Sequence, residues 1–333
     1  MLDIVIVNYR SYLDTIECLA GLIEGANILE FRVYIIDNSE DSSCFSQLTK
    51  WAFDNNQKDS RCSFTVINEA DFNNVTYFES KYIFVKAERN DGFAAANNIV
   101  MRKLLEQSSS GWIWLLNNDT VVPMRSFRVL GKYINSILDS EVGILGGPLF
   151  NYHNKGTLQA LGGAYNKYFG YTTHVAVGRN RSDLNQNWSR YVAQVDYVIG
   201  ASMLVNKKFV RDVGLMNEDF FLYFEELDWA ERGKRMHWKF SLIPDYIVYH
   251  KEGGSINKGV RKSELAEVCY LRNRLVFTRI YYPKYSLLAY STIFLTIINR
   301  VIRFQFRRIP VLLMAAFSKR YYKKYINEFR RYT

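Results

Sequence analysis

The chain has 333 residues, 48% hydrophobic and 16% aromatic, which excludes a disordered polymer and supplies enough apolar material for a large core. Its formal net charge is +10, yet ten Lys or Arg against the single acid Glu328 lie from Asn299 onward, so the basic excess belongs to the tail and not to the fold. Cys18, Cys44, Cys62 and Cys269 show neither CxxC pairing nor metal-ligand spacing, which argues against a thiolate metal centre and for idle thiols in a reducing compartment.

LDIVIVNY (2–9) reads as a first strand and leaves no room for a charged segment followed by a cleavable apolar one, so a cytoplasmic protein is expected. FRVYIIDNS (31–39), KYIFVKA (81–87) and WIWLLNN (112–118) are further β-branched and aromatic runs. Between them, TIECLAGLIEG and GFAAANNIVMRKLLEQ carry helical periodicity, which predicts a βαβ series with a mostly parallel sheet. From Gly143 to Gly178 the pattern loosens into short strands and glycine-rich segments such as LGGAYNKYFGY, as loops and an added sheet beside a cleft require. VAQVDYVIGASMLVNKKFV (192–210) predicts a strand, a glycine turn and a short helix, and WKFSLIPDYIVYH (238–250) predicts one strand ending at His250. Beyond Lys262 the chain reads as almost wholly helical, giving a catalytic region 1–260 and a helical region 261–333.

Polar residues gather where the apolar runs end, and open α/β sheets bind ligands at the carboxyl ends of their strands. Asp37 and Asn38 close the second run, either as an Asx turn or as a carboxylate for the imino N–H of a pyrimidine base beside an amide for ribose. ERNDGFAAANN (88–98) sets Asn90 and Gly92 before a helix start, where free N–H groups and the positive dipole end suit a diphosphate or a sugar hydroxyl. Asp119 ends a run after Asn117 and Asn118, and one well-placed acid can serve Mg2+ or Mn2+ when substrate phosphates supply further oxygens. No GxGxxG follows a strand and no Walker lysine motif occurs, which argues against dinucleotide oxidoreductases and P-loop NTPases.

FEELDWAERGKR (224–235) places Glu225, Glu226 and Asp228 in the first turn of a helix and Arg232, Lys234 and Arg235 near its end, matching the dipole at both ends. At about 100° per residue Asp228 and Arg232 share a face with Glu225 and form an i, i+4 pair, whereas Glu226 points elsewhere. Two adjacent acids of different direction suit a division between orienting a substrate and acting as general base. His250 ends a strand before KEGGS (251–255), where glycines let a loop fold over a ligand and an imidazole can complete a metal site with one carboxylate.

VIVNYR, IIDNS, ERNDGFAAANN, LLNNDT, VDYVIGASMLV, VGLMNEDFFLYFEELDWAER, IVYH and YLRNR run in this order from Val5 to Arg274. The ordered set resembles the inverting family 2 glycosyltransferases, and most of all their bacterial rhamnosyltransferase-type subgroup, which builds O-antigen and other surface polysaccharides. The resemblance implies an α/β, A-type glycosyltransferase fold: a Rossmann-like, mostly parallel sheet flanked by helices, with a C-terminal helical extension. It implies that Asp37 contacts the nucleotide base, with Asn8, Asn38, Asn90, Gly92, Asn117, Asn118 and Gly200 also on the donor side. It further implies that Asp119 binds Mg2+ or Mn2+ with the help of His250, and that Glu226 deprotonates the acceptor hydroxyl. Gly162, Gly163, Asp196 and Arg232 are expected on the acceptor side. Two departures stand out: asparagines at 117 and 118 leave one carboxylate for the metal, and Glu226 stands where Asp is usual, so Glu225 and then Asp228 compete as base.

The implied donor is dTDP-L-rhamnose, with UDP-hexoses as the alternative, and the implied acceptor is a polyprenyl-diphosphate-linked glycan. YSLLAYSTIFLTII (285–298) is apolar for only 14 residues, short of the ~20 that span a bilayer, and is followed by Arg300, Arg303 and Arg307 and later by Lys319, Arg320, Lys323 and Lys324. Basic stripes beside apolar faces predict interfacial helices on an anionic inner-leaflet surface, with a packed core helix as the alternative. Nucleic acid is not expected as a partner, because no DNA- or RNA-binding module accompanies the charge. A sugar-nucleotide pyrophosphorylase is disfavoured because NYRSYLD contains no glycine, and a membrane-surface sugar-binding protein without catalysis remains the rival of another class.

Overall fold

The computed structural model describes residues 2–58, 62–107, 110–137, 141–251 and 260–332. The chain opens with β1 (Leu2–Asn8), α1 (Tyr12–Gly25), β2 (Phe31–Asp37), α2 (Ser43–Lys58), β3 (Phe64–Asn68), α3 (Glu69–Asn74), β4 (Tyr82–Lys86), α4 (Phe93–Gln107) and β5 (Trp112–Asn117). There follow β6 (Thr120–Val121), α5 (Met124–Ser136), β7 (Val142–Gly146), β8 (Leu149–Asn151), β9 (Leu158–Ala160), β10 (Gly163–Asn166) and β11 (Tyr171–His174). Then come α6 (Arg181–Gln186), α7 (Trp188–Val192), β12 (Ser202–Asn206), α8 (Lys207–Val213), α9 (Glu225–Arg235), β13 (Lys239–Leu242) and β14 (Val248–His250). Four helices close the chain: α10 (Val260–Tyr281), α11 (Ser286–Ile302), α12 (Arg308–Phe317) and α13 (Lys319–Tyr332).

The central sheet has eight strands in the order β13-β7-β12-β5-β1-β2-β4-β3 and is parallel except where β12 runs against β5 and β7. Its middle strands are apolar on both faces because both faces are covered, as parallel sheets require. Val5, Ile36 and Leu115 face α4, α8 and α9, whereas Ile4, Ile35 and Trp114 face α1, α2 and α5. The register sets Asn8 opposite Asp37, Asp37 opposite Lys86 and Val7 opposite Asn117, so the polar strand ends line up along one carboxyl edge.

Four strands in the order β6-β14-β8-β9 and a hairpin of β10 and β11 form two smaller sheets. Residues 238–250 are two strands and not one: Pro244 and Asp245 lie in a turn, so β13 extends the central sheet while β14 joins the four-stranded one. The strand expected ahead of Gly200 follows it instead, as β12. β3 adds an edge strand that the apolar runs did not announce, since its half-exposed side chains break the pattern. The glycine loop expected over His250 lies, from Glu252 on, outside the described residues.

α10, α12 and α13 pack around a separate apolar cluster that includes Leu265, Val268, Leu312, Tyr322 and Ile326. The helical stretch Pro283–Ile302 is 20 residues long, exceeding the 14-residue apolar run, and by length and composition it can cross a membrane. It is mostly exposed, with Leu287 at 84% and Phe294 at 66%.

Candidate active site

The carboxyl edge opens into a cavity of about 480 Å³, a size that suits a small-molecule substrate. Asn38, Asn90 and Gly92 line it from the strand ends and the start of α4, Asn117, Asn118 and Asp119 from the turn after β5, and His250 from the end of β14. Gly200, Glu225 and Glu226 line it as well.

Asp119 and His250 meet although 131 positions separate them, because β6 pairs antiparallel with β14 and sets Thr120 opposite His250. His250 Nε2 stands 3.1 Å from Asp119 Oδ1, and its Nδ1 lies 2.9 Å from Gln159 Oε1 on β9. Gln159 Oε1 can only accept, so the network assigns the Nδ1 proton to that bond and turns the Nε2 lone pair toward a carboxylate oxygen. A proton or a bound cation reconciles two such acceptors. The donor set of one carboxylate oxygen and one imidazole nitrogen fits a divalent cation whose remaining ligands come from diphosphate and water. Among the described residues, no group of three or more His, Cys, Asp or Glu gathers to hold a metal.

Beneath the cavity floor lies a saturated polar network. Asp37 is fully buried: Asn8 Nδ2 donates to its Oδ1 at 2.7 Å, Ser39 Oγ at 2.8 Å, and Lys86 Nζ reaches Oδ2 at 2.7 Å. Neither Asp37 nor Asn8, both expected against the donor base, lines the cavity; both lie beneath its floor. The cause is register, since β4 brings the Lys86 ammonium directly beside Asp37. Asn118 touches the cavity but gives its amide to Thr15 Oγ1, at 2.9 Å, so its main service is to tie the Asp119 turn to α1. Of the residues expected to meet the donor, Asn38, Asn90, Gly92, Asn117 and Gly200 line the cavity; Asn38 Nδ2 donates to Asn90 Oδ1 at 2.8 Å, and the same oxygen accepts the Gly92 N–H at 3.1 Å. Gly92 has φ 94°, and a Cβ there would stand 2.3 Å from the Phe221 carbonyl oxygen, so the loop before α4 admits no side chain at this point.

The acids at the start of α9 follow two consecutive left-handed residues, Tyr223 at φ 67° and Phe224 at φ 76°. Each such non-glycine residue costs on the order of 1–3 kcal/mol and persists only where its surroundings impose it. Glu225 is 4% exposed with Oε2 unpartnered, whereas Glu226 is partly open to the cavity and its Oε1 accepts the Gly200 N–H at 3.4 Å. Burial raises the Glu225 carboxyl well above the usual carboxylate range, and its neighbour Glu226 adds to the effect. Glu226 is raised as well, chiefly by burial, while the N–H groups it accepts oppose the shift. As a pair the two acids therefore hold a proton above the ordinary Glu range.

Five other expected site residues have structural partners. Asp228 accepts Arg232 Nε at 2.8 Å and the Tyr281 hydroxyl at 2.7 Å, so it is no candidate base. Arg232, expected on the acceptor side, instead donates to Asp228 and to the carbonyls of Val213 and Leu215, stapling α9 to the turn before it. Asp196 Oδ2 accepts the Tyr165 N–H at 2.7 Å away from the cavity. A Cβ at Gly162 would collide with the Val195 side chain and one at Gly163 with the Tyr197 ring, so Gly162 makes room for Val195 and Gly163 for Tyr197, which does line the cavity.

No model of a protein family matches the chain. By sequence it is 23% identical over 250 residues to the low-salt glycan biosynthesis hexosyltransferase Agl10 of Haloferax volcanii, covering 70% of this chain and 62% of that protein. By structure it is similar to the mannosyltransferase PcManGT of Pyrobaculum calidifontis, solved with GDP-Man and Mn2+: TM-score 0.51, 11% identity, 94% of this chain and 73% of that one. It is similar also to GalNAc-T7, solved with UDP, GalNAc and Mn2+: TM-score 0.56, 12% identity, 88% of this chain and 50% of that one. The fold is that of the A-type glycosyltransferases.

Within that fold several cavity residues carried no readable sign in the sequence. Gln159 sits in a three-residue strand and is identified only by its contact with His250. Phe221, Tyr223, Phe224, Tyr270 and Phe329, with Leu222 among them, form a largely aromatic wall beside Glu225 and Glu226. Phe221 to Phe224 precede the acids in the sequence, but Phe329 reaches the cavity from α13, more than a hundred positions downstream.

Proposed function

We propose that the chain is a metal-assisted, inverting glycosyltransferase that moves a sugar from a nucleoside diphosphate to an acceptor hydroxyl. The observation that carries the reading is the meeting, in one cavity, of the Asp119–His250 pair, the open helix start at Gly92 and the acids Glu225 and Glu226. Mn2+ or Mg2+ bound by Asp119 and His250 would supply positive charge against the diphosphate leaving group. The N–H groups at the start of α4 add to it, and Asn38 and Asn90 offer amides to the nucleoside. Glu226, open to the cavity and steadied by the Gly200 N–H, takes the acceptor proton, while Glu225, whose pKa is raised by burial, stands beside it within reach of a sugar hydroxyl. The relative Agl10, named a glycan hexosyltransferase, and the Mn2+ complexes of the two structural relatives support this direction.

The donor is read as dTDP-L-rhamnose, with UDP-hexoses as the alternative, and the acceptor as a polyprenyl-diphosphate-linked glycan in bacterial O-antigen or surface polysaccharide synthesis. Residues 261–333 act as the membrane-facing region. Exposed Leu287, Phe294, Leu295, Ile302 and Phe304 on and after α11 form an apolar ridge flanked by Arg303 and Arg307, which suits an anionic inner-leaflet surface. The enzyme accordingly works at the cytoplasmic face as a peripheral protein. Incubation with dTDP-, UDP- and GDP-sugars and Mn2+ tests the reading: release of nucleoside diphosphate from one donor class supports it, and binding of a sugar with no release favours the non-catalytic alternative. Phe294→Asp with Ile302→Asp should abolish flotation with phosphatidylglycerol vesicles, and unchanged flotation would remove the membrane assignment.

A further inference from the structure

The turn that presents the two acids is gripped from outside its own element. All four carbonyls of Phe221 to Phe224 find donors: Phe93 N–H for the first at 3.3 Å, Asn273 Nδ2 for Leu222 and Tyr223 at 2.9 and 3.1 Å, and Asp228 N–H for Phe224 at 2.8 Å. Asn273, on α10, is fully buried and is the only side chain among these donors. Its Oδ1 accepts Arg272 Nη1 at 3.0 Å, which fixes the amide with both protons toward the turn. Arg272 in turn lies 4.2 Å over the Tyr322 ring of α13. On the far side, the Phe224 ring packs on Tyr270 and Phe277 of α10 at 5.5 and 5.6 Å.

We propose that Asn273 is a positioning residue for the acid pair: by donating to Leu222 and Tyr223 it holds the left-handed turn that keeps Glu225 and Glu226 aimed into the cavity. Arg272 and Tyr322 extend the hold to α13. The C-terminal helices therefore complete the site instead of merely carrying it to a surface. A second tether agrees with this: Arg330 of α13 pairs with Asp91 at 2.7 Å, beside Gly92 on the donor side. The role in catalysis rests on the transferase reading above, whereas the hold on the turn does not. The titratable groups around the pair are Tyr197 ahead of β12, Tyr223 on the turn, Cys269 on α10, Tyr322 on α13 and Asp228 one turn along α9.

The test uses the full chain and Asn273→Ala, with UDP and Mn2+ as binding probe, hydrolysis of the accepted nucleotide sugar as turnover, and NMR titration of 13C-labelled glutamates. A loosened turn displaces the acids by about an ångström, so kcat should fall roughly 100-fold while UDP affinity stays within about two-fold. The acidic limb of the rate profile and the raised glutamate titration should both move toward lower pH as the pair meets water. Arg272→Met spares both carbonyl bonds and keeps the packing on Tyr322, and should show the same split below about ten-fold. Loss of turnover with an unmoved pH limb and titration in either folded variant, or loss in step with UDP binding, overturns the proposal. A wild-type chain that turns over no donor would sink the transferase reading alone, because the glutamate titration still decides the hold on the turn.

Discussion

Two parts of the cavity are built on opposite principles. The donor floor is a closed hydrogen-bond network, in which Asn8, Asp37, Lys86, Thr15 and Asn118 satisfy one another beneath the strand ends. The acid side leaves Glu225 Oε2 without a partner in an aromatic wall, after two left-handed residues. Satisfied networks rigidify, whereas an unpaired buried carboxyl stores unfavourable energy that a bound hydroxyl can relieve. On the proposed function, the contrast sets stability in the one part and reactivity in the other.

Substitutions on the two sides should therefore fail in different ways. Glu226→Gln is expected to lower kcat by about 10³-fold with UDP binding unchanged, read by turnover and calorimetry, since a positioned general base contributes on the order of 10²–10⁴. Asp119→Asn should weaken Mn2+-dependent UDP binding at least as much as loss of an outer-shell partner does, and Gln159→Leu, which frees the His250 ring, should weaken it by about 10-fold. Asp37→Ala should destabilise the fold by about 3 kcal/mol in denaturant unfolding, because it leaves the Asn8 amide and the Ser39 hydroxyl without their buried acceptor and removes the carboxylate paired with Lys86, with a smaller effect on nucleotide affinity. An Asp37 variant that lost only affinity would restore that residue to the donor base.

The smallest effect concerns pH. The folded state holds the Glu225 proton more tightly than the unfolded chain, so the stability of the protonated acid is complete below the ordinary Glu value of 4.5 and is lost as pH rises through the raised folded value. Each unit of that shift is worth about 1.4 kcal/mol. Glu225→Gln should match wild type in melting temperature near pH 4 and exceed it at pH 8.

The sheet was legible because its middle strands are buried on both faces and so read as unbroken apolar runs, and Asp119 and His250 were legible as polar ends of such runs. Pairing across strands was not. Asp37 ends its strand as a base-contacting acid would, but only the β2–β4 register shows Lys86 beside it. Pro244 marked a break inside an apolar run, and the switch between sheets at that point became visible only in the topology. Gly162 and Gly163 suggested a loop near a ligand, yet their lack of side chains accommodates Val195 and Tyr197. Asn273 stood in YLRNR, where a buried amide and a solvated one look alike without the turn it holds.

The most direct test of the central claim is the anomeric configuration of the sugar at first turnover, followed by NMR with the accepted donor and Mn2+. A base on the face opposite the leaving diphosphate predicts inversion of the donor configuration. A retained configuration, or no release of nucleoside diphosphate from any donor, would contradict the account.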